Sequence, residues 1–571
     1  MTKRTTAFSF WILLSISPWF VSPCFATRFI TFVPQSAGNP PAISPQSPTD
    51  AVVAVVPGAQ SGDQLWSGYL DAWRQHASNP ADASVRQRLG LPAEEPASTK
   101  PIDSRSLVRM MPKGLQVDWV APQGVETENF LLIADVPVEV AIQVAIDLES
   151  FYAVWSQLFF PLWKDRQRWD QSQTRTSNRP TTPRGSPLNK MRVLVLRDTD
   201  QYQKALKAEG TQIGQSTGYY SGNLRTTFLL HSARDAQPAS AGDESRASRY
   251  HELTHQMLAE ATDTSLKVMP GERSGFWLAE GIACYMESTS IQQGYATVGG
   301  WESSRLQFAR HRVLSLGEST SIDPLRLLGR VQFQRNADLP SLYAMAAAET
   351  HRIIDRNNGD GLNDMISQLA KLYQIRRPTS RSNTTSDQRT PEIDLATYLK
   401  LTDESLSPSN RDDLINLCLA RCDLRVETLS RITPQKNLSW LDLTALKVSA
   451  ADVVRLCPQS TFLNQLSLEA TAVDDALATW IAGANDIEEI DLSWTGISDA
   501  VINAVPDTAP LQTLWLTGSR ISDASIDRIA AWRSLRRVDI QRTAVTDVGR
   551  ARLARLRPDL IIDPLELVPA Q

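Results

Sequence analysis

The sequence predicts a multidomain protein, an α+β domain followed by an α/β region built from repeats. Three observations carry this reading. The chain has 571 residues, several times the length of a typical single domain. Between about 129 and 375, short apolar strand signals come first and amphipathic helices later. From about 412 onward, one leucine pattern recurs at a nearly constant interval. Composition narrows the function. The 58 basic and 63 acidic residues give a net charge of −5, without the basic footprint of a dedicated nucleic-acid binder. Nucleic acid is therefore not an expected partner. Hydrophobic residues make up 42% of the chain, enough for packed cores, and five cysteines are too few for a disulfide scaffold.

Residues 1–26 read as a signal peptide. Lys3 and Arg4 precede an apolar run from Phe8 to Phe20, and Cys24-Phe-Ala26 offers small residues for cleavage. The protein is expected to be exported, whether periplasmic, cell-surface or extracellular. An uncleaved anchor is the rival, but the run is shorter than the roughly 20 residues of a spanning helix. A lipidated Cys24 is a further alternative, although Val21-Ser-Pro23 suits lipidation poorly. No transmembrane helix is expected after the signal peptide. Residues 27–60 form a Pro-rich tether, and 61–128 are unassigned apart from helix-like pieces around Gln64–His76.

Within 129–375, Phe130–Ile133, Met191–Leu196 and Leu224–Leu230 read as strands. Apolar spacing from Val140 to Trp155 and the stretch Gln201–Glu209 read as helices, and 171–187 is a polar, Pro-containing insertion. Residues 376–411, rich in Ser, Thr and Pro, read as a linker to the repeats at 412–571.

The chemically informative segment is Arg249-Tyr-His-Glu-Leu-Thr-His-Gln-Met-Leu258. His251 and His255 stand one helical turn apart, so both imidazoles reach one ion, and Glu252 beside them is placed to take a proton from a metal-bound water. Zinc needs a third ligand to leave one position open. The nearest candidate is Glu280, in Phe276-Trp-Leu-Ala-Glu-Gly-Ile-Ala-Cys-Tyr-Met-Glu287, on a second helix that returns after Pro270-Gly271. Tyr343 opens an apolar helix farther on; an oxyanion-stabilising role and a buried core tyrosine are both open readings, and His351 is a weaker candidate. Glu287 could accept from a ligand histidine or face solvent, and Cys284 reads as packing.

His251-Glu-x-x-His255 followed by Trp277-Leu-x-Glu280-Gly-x-Ala283 resembles the gluzincin zinc metallopeptidases, nearest the peptidase-MA-like group of secreted bacterial proteins. The resemblance covers about 129–375. It implies a zincin-like domain holding one Zn2+ through His251, His255 and Glu280, with Glu252 as general base and acid. It also implies that the strand near 224–230 lines the cleft and pairs with an extended peptide substrate. Peptide-bond hydrolysis within a protein or peptide is the expected activity, and the aminopeptidase motif Gly-x-Met-Glu-Asn is not present.

The repeats read Leu-x-x-Leu-x-Leu or its aliphatic equivalent, with central residues Leu417, Leu441, Leu466, Ile490, Leu514 and Val538. Their separations are 24, 25, 24, 24 and 24 residues. This pattern resembles the leucine-rich-repeat family, which implies a curved α/β solenoid and a protein-binding face. Trp440, Trp515 and Arg537, flanking the leucines, are the candidate partner contacts. A spacer or a cap on the first domain is the competing role. For the whole chain, the alternative to a metallopeptidase is a non-catalytic interaction protein, its metal domain structural or vestigial.

Overall fold

A computed structural model describes residues 63–89, 100–102, 109–163, 190–209, 216–231, 244–262, 270–355, 361–375 and 393–563, with a few positions omitted inside these spans. The expected signal peptide, the tether at 27–60, the insertion at 171–187 and residues 376–392 of the linker lie outside the described residues.

Six strands form the first sheet: β1 (Lys100–Ile102), β2 (Gln123–Glu126), β3 (Phe130–Ala134), β4 (Met191–Leu196), β5 (Gly218–Ser221) and β6 (Thr226–Leu230). Their spatial order is β1-β2-β3-β4-β6-β5. β3, β4 and β6 run parallel, while β1, β2 and β5 pair antiparallel at the margins. The parallel strands are nearly continuous apolar runs because both faces are covered.

One hydrophobic core extends from Trp66 to Tyr373 and includes the unassigned N-terminal stretch. Helix α1 (Gln64–Ser78) joins it through Tyr69, stacked on Phe160 at 4.2 Å, and through Trp66 Nε1, which donates to Gln157 O at 2.8 Å. Helix α2 (Ala83–Leu89) follows, and α3 (Val138–Phe159) and α4 (Thr199–Glu209) cover the sheet region. Since β1 and β2 extend the same sheet, position 129 marks no structural break.

The longer helices of the rest of this region are α5 (Glu244–Thr262), α6 (Phe276–Glu287), α7 (Ser304–Arg310), α8 (Leu339–Ile354) and α9 (Gly361–Leu372), with two five-residue helices, Asp323–Leu327 and Arg330–Gln334, between α7 and α8. Small residues bring α6 against α8. Ala344, Ala346, Ala347 and Ala348 are fully buried, and a Cβ on Gly281 would lie 2.7 Å from Ala346 O. The later part of the expected linker is packed rather than extended: α10 (Leu395–Leu399) buries Leu395 and Leu399.

Seven strands make the second sheet, β9 (Asn416–Cys418), β10 (Trp440–Asp442), β11 (Gln465–Ser467), β12 (Glu489–Asp491), β13 (Thr513–Trp515), β14 (Arg537–Asp539) and β15 (Ile561–Ile562). The remaining pair, β7 (Ser290–Gln292) and β8 (Tyr295–Thr297), is a separate hairpin. All seven are parallel and stand in sequence order, with Leu417, Leu441, Leu466, Ile490, Leu514 and Val538 in register. Four residues after each of these centres the backbone turns left-handed, at Arg421, Ala445, Ala470, Trp494, Gly518 and Arg542. In the first five of these the amide donates to the next unit, as in Arg421 N to Thr444 O at 2.8 Å and Trp494 N to Thr517 O at 2.7 Å. Polar caps form a second ladder. Ser498, Ser522 and Thr546 cap helical turns, and the hydroxyl of each donates to the carboxylate of the preceding unit, Asp475, Asp499 or Asp523.

Among the described residues, no helix is long and apolar enough to cross a membrane. Cys284, Cys418, Cys422 and Cys457 are all free and buried.

Candidate metal centre

Helix α5 is fixed before any ion is considered. Arg249 and Arg246 pair with buried Asp147 of α3, and Tyr250 Oη donates to Asp147 Oδ1 at 2.8 Å. Tyr250 also stacks on Phe151 at 4.1 Å. On another side, Thr227 Oγ1 of β6 donates to Gln256 Oε1 at 2.9 Å. These anchors leave His251 and His255 facing α6.

Three donor atoms then converge. His251 Nε2 lies 3.2 Å from Glu280 Oε2 and 3.2 Å from His255 Nε2, and the third side, His255 Nε2 to Glu280 Oε2, is 3.5 Å. Two tetrahedral zinc ligands at 2.0–2.1 Å from the ion stand about 3.3 Å apart, so this triangle fits one zinc ion with an open face. A second group, His311, Cys418 and Asp442, fails the same comparison. Its His311 Nδ1 to Asp442 Oδ2 distance of 2.8 Å is a hydrogen bond, too short for two ligands of one ion.

His251 is oriented from behind. His251 Nδ1 lies 2.8 Å from Glu287 Oε1, which sets Nδ1–H as donor and leaves the Nε2 lone pair toward the triangle. Arg305 of α7 holds Glu287 with Nε to Oε2 and Nη2 to Oε1, both 2.9 Å. Cys284 Sγ is 4.0 Å from His251 Nδ1. Burial alone would favour neutral carboxyls here. The histidines outweigh it at Glu280, which is held well below its usual range, and Arg305 with His251 holds Glu287 down to about 2. Without metal, burial opposes a charge on His251, but hydrogen bonds with Cys284, Glu280 and Glu287 outweigh it and raise its pKa well above the usual value.

Glu252 is half-buried, and its Oε2 accepts the Tyr220 amide of edge strand β5 at 2.8 Å. Gly218 permits this approach, since a Cβ there would lie 2.8 Å from Glu252 Cγ. Tyr343 is half-buried, its ring 6.0 Å from that of His251 and 5.3 Å from the Arg305 guanidinium. Burial, then the negative charge of Glu280, pushes its hydroxyl pKa well up, so it stays a donor. His351 packs on Tyr285 at 4.6 Å, and burial lowers its pKa to about 3.

Two expectations need revision. The strand at 224–230 cannot offer an edge to a peptide, because β6 pairs with β4 on one side and β5 on the other. The strand beside Glu252 at the sheet margin is β5. Trp440 is not an open contact either. It is 9% exposed, with its ring 4.7 Å from His311 of the first domain. Trp515 is also buried, and its Nε1 donates to Glu489 Oε1 at 3.3 Å, whereas Arg537 is half-buried. Arg305 was not singled out by the sequence, since nothing local marks an arginine 18 residues beyond Glu287 as its partner.

No protein-family model matches this chain, and comparison with the curated proteins returns no relative.

Proposed function

We propose that the chain is an exported zinc-dependent endopeptidase of the gluzincin type, with leucine-rich repeats that bind a partner or the substrate. The observation carrying this reading is the triangle of His251, His255 and Glu280 donor atoms, with Glu252 on the same helix. His251, His255 and Glu280 would hold a zinc ion, which when bound would supply Lewis acidity toward a carbonyl and lower the pKa of a water toward about 7. Glu252 takes the proton of the attacking water and passes it to the leaving amine. Tyr343, kept protonated, donates its hydroxyl to the developing oxyanion. The outer edge of β5 aligns the peptide by main-chain pairing, in place of the strand first expected. Export rests on the N-terminal address in residues 1–26. Partner binding falls to the later strands, around Arg537 and Glu489, because the first domain covers Trp440.

One observation supports the second reading, a non-catalytic interaction protein: Glu252 Oε2 accepts the Tyr220 amide of β5 at 2.8 Å, which gives this carboxylate a structural role of its own. Zinc stoichiometry by elemental mass spectrometry, with a peptide-library digest of wild type and Glu252→Gln, separates the two. The enzyme reading expects about one zinc in both proteins and cleavage only in the wild type. Zinc without cleavage supports the second reading, and equal cleavage by both proteins rejects the mechanism.

A further inference from the structure

Helix α7 is seven residues long, and a π-helical turn, His311–Ser315, follows it directly. Its two ends carry side-chain contacts to different elements, Arg305 half-buried and His311 buried. At the start, Arg305 grips both oxygens of Glu287, the acceptor for His251 Nδ1. At the end, His311 Nδ1–H donates to Asp442 of β10 at 2.8 Å. Asp442 is fully buried and also accepts the Thr444 amide at 3.0 Å and the Cys418 thiol at 3.7 Å. Between them, Gln307 Oε1 accepts the Cys418 amide at 2.8 Å, and Arg310 donates to Trp301 O and Leu399 O at 2.7 and 3.0 Å.

Residues 305 and 311 are about 9 Å apart along the axis and point to sides roughly 120° apart. One short rigid piece thus reaches the second sheet on one side and the carboxylate behind the ligand histidine on the other. Partners of this kind are strict about geometry, because losing one leaves the other buried and uncompensated.

We propose that Arg305 and the His311–Asp442 pair are positioning residues for the metal centre: the first strands of the second sheet set α7, and α7 sets Glu287 and the His251 ring. This rests on reading the His251 cluster as a zinc site. It gives the covered end of the second sheet a task, which is to hold the ligand set in its binding geometry.

The test uses the full chain as wild type, Asp442→Asn, Arg305→Gln, the double variant and Trp301→Phe. The last variant removes a bond in the same interface, Trp301 Nε1 to Ser407 O at 3.2 Å, without touching the relay. Zinc affinity is read by competition with a chromogenic chelator. Arg305→Gln weakens it about 10- to 100-fold, the range for groups behind a metal ligand. Asp442→Asn weakens it about three- to tenfold, and the double variant is no weaker than Arg305→Gln alone. Trp301→Phe stays within about twofold of wild type. The metal-free proteins, labelled with 15N in their six histidines, give a second readout. Asp442→Asn shifts the ring signals of His251 along with those of His311. Multiplicative losses in the double variant, or a folded Asp442→Asn with wild-type affinity and unmoved His251 signals, overturn the proposal. A wild type that takes up no zinc refutes the metal reading, while the His251 signals still decide the relay. If Asp442→Asn does not fold, His311→Phe, which removes the donor toward Asp442, replaces it, with zinc affinity and the His251 signals alone as the readouts.

Discussion

Gly281→Ala tests whether the contact between α6 and α8 places Glu280. In an exposed helix this change stabilises, by up to about 1 kcal/mol of helix propensity. Here the new Cβ meets Thr350 Oγ1 at 2.2 Å and Ala346 O at 2.7 Å. The hydroxyl can rotate away, but the carbonyl belongs to the α8 backbone. It sits about 0.7 Å inside the 3.4 Å at which ordinary contact begins, so the helices must part. Overpacking of this kind costs about 1–3 kcal/mol, which exceeds the propensity gain. Because Glu280 is the adjacent residue, its carboxylate moves with α6, and a triangle with sides of 3.2–3.5 Å tolerates little displacement. The expected outcome is a lower urea midpoint in the metal-free protein and zinc affinity reduced tenfold or more, measured by chelator competition. Thr350→Ala added to Gly281→Ala restores only part of either loss, since the carbonyl remains. Wild-type stability and affinity in Gly281→Ala would refute the argument that this close approach fixes Glu280.

Three further outcomes follow. His251→Ala should lose stoichiometric zinc by mass spectrometry, whereas full retention removes His251 from the ligand set. At Asp147 burial raises the pKa, but Arg246 and Arg249 outweigh it and hold the carboxyl below its ordinary value, so its stabilisation is complete above about pH 4 and is lost as pH falls through the folded value. Asp147→Asn should therefore lower the urea midpoint at pH 7, by about 3–5 kcal/mol in stability, and flatten its decline below pH 4; parallel pH curves would contradict this. Asp499→Ala should destabilise the repeats by about 1–2 kcal/mol, because Ser522 N, Ser522 Oγ and Ser525 Oγ lose their shared acceptor. An unchanged midpoint would show that the inter-unit ladder is replaced by water.

What could be read from the sequence was local. His251 and His255 share a face because helical geometry puts residues four apart together, and Glu280 carries an apolar helical frame of its own. The caps Ser498, Ser522 and Thr546 announce themselves because a side-chain oxygen beside an orphan amide is a short-range requirement. The central position of β6 was only partly legible: Phe228-Leu-Leu230 is a continuous apolar run, the mark of a strand covered on both faces, but Thr226 and Thr227, which the fold also buries, give no such sign. Arg305 and the burial of Trp440 were not legible. Both depend on α7 meeting groups 18 and 131 residues away from Arg305 and His311, and no period or spacing encodes such pairs.

The left-handed residues of the repeats show how a constraint invisible in composition still shapes the molecule. Only Gly518 among the six is a glycine; Arg421, Ala445, Ala470, Trp494 and Arg542 each accept backbone strain of about 1–2 kcal/mol. From Arg421 to Gly518 the turn persists because it aims an amide at the next unit's carbonyl, and leaving both groups unpaired in the stack would cost about as much or more. The strain is therefore tolerated where a neighbour exists to accept the bond, which ties each strand's position to the one after it. Asp442 sits on the second strand of this series, two residues after Trp440 and three before the left-handed Ala445, and the backbone that presents it to His311 is bonded to the units on both sides, Leu419 N to Asp442 O and Leu443 N to Ser467 O, each at 2.9 Å. A buried carboxylate on so constrained a strand is a fixed point, and a fixed point is what α7 requires if Arg305 is to keep Glu287 against His251.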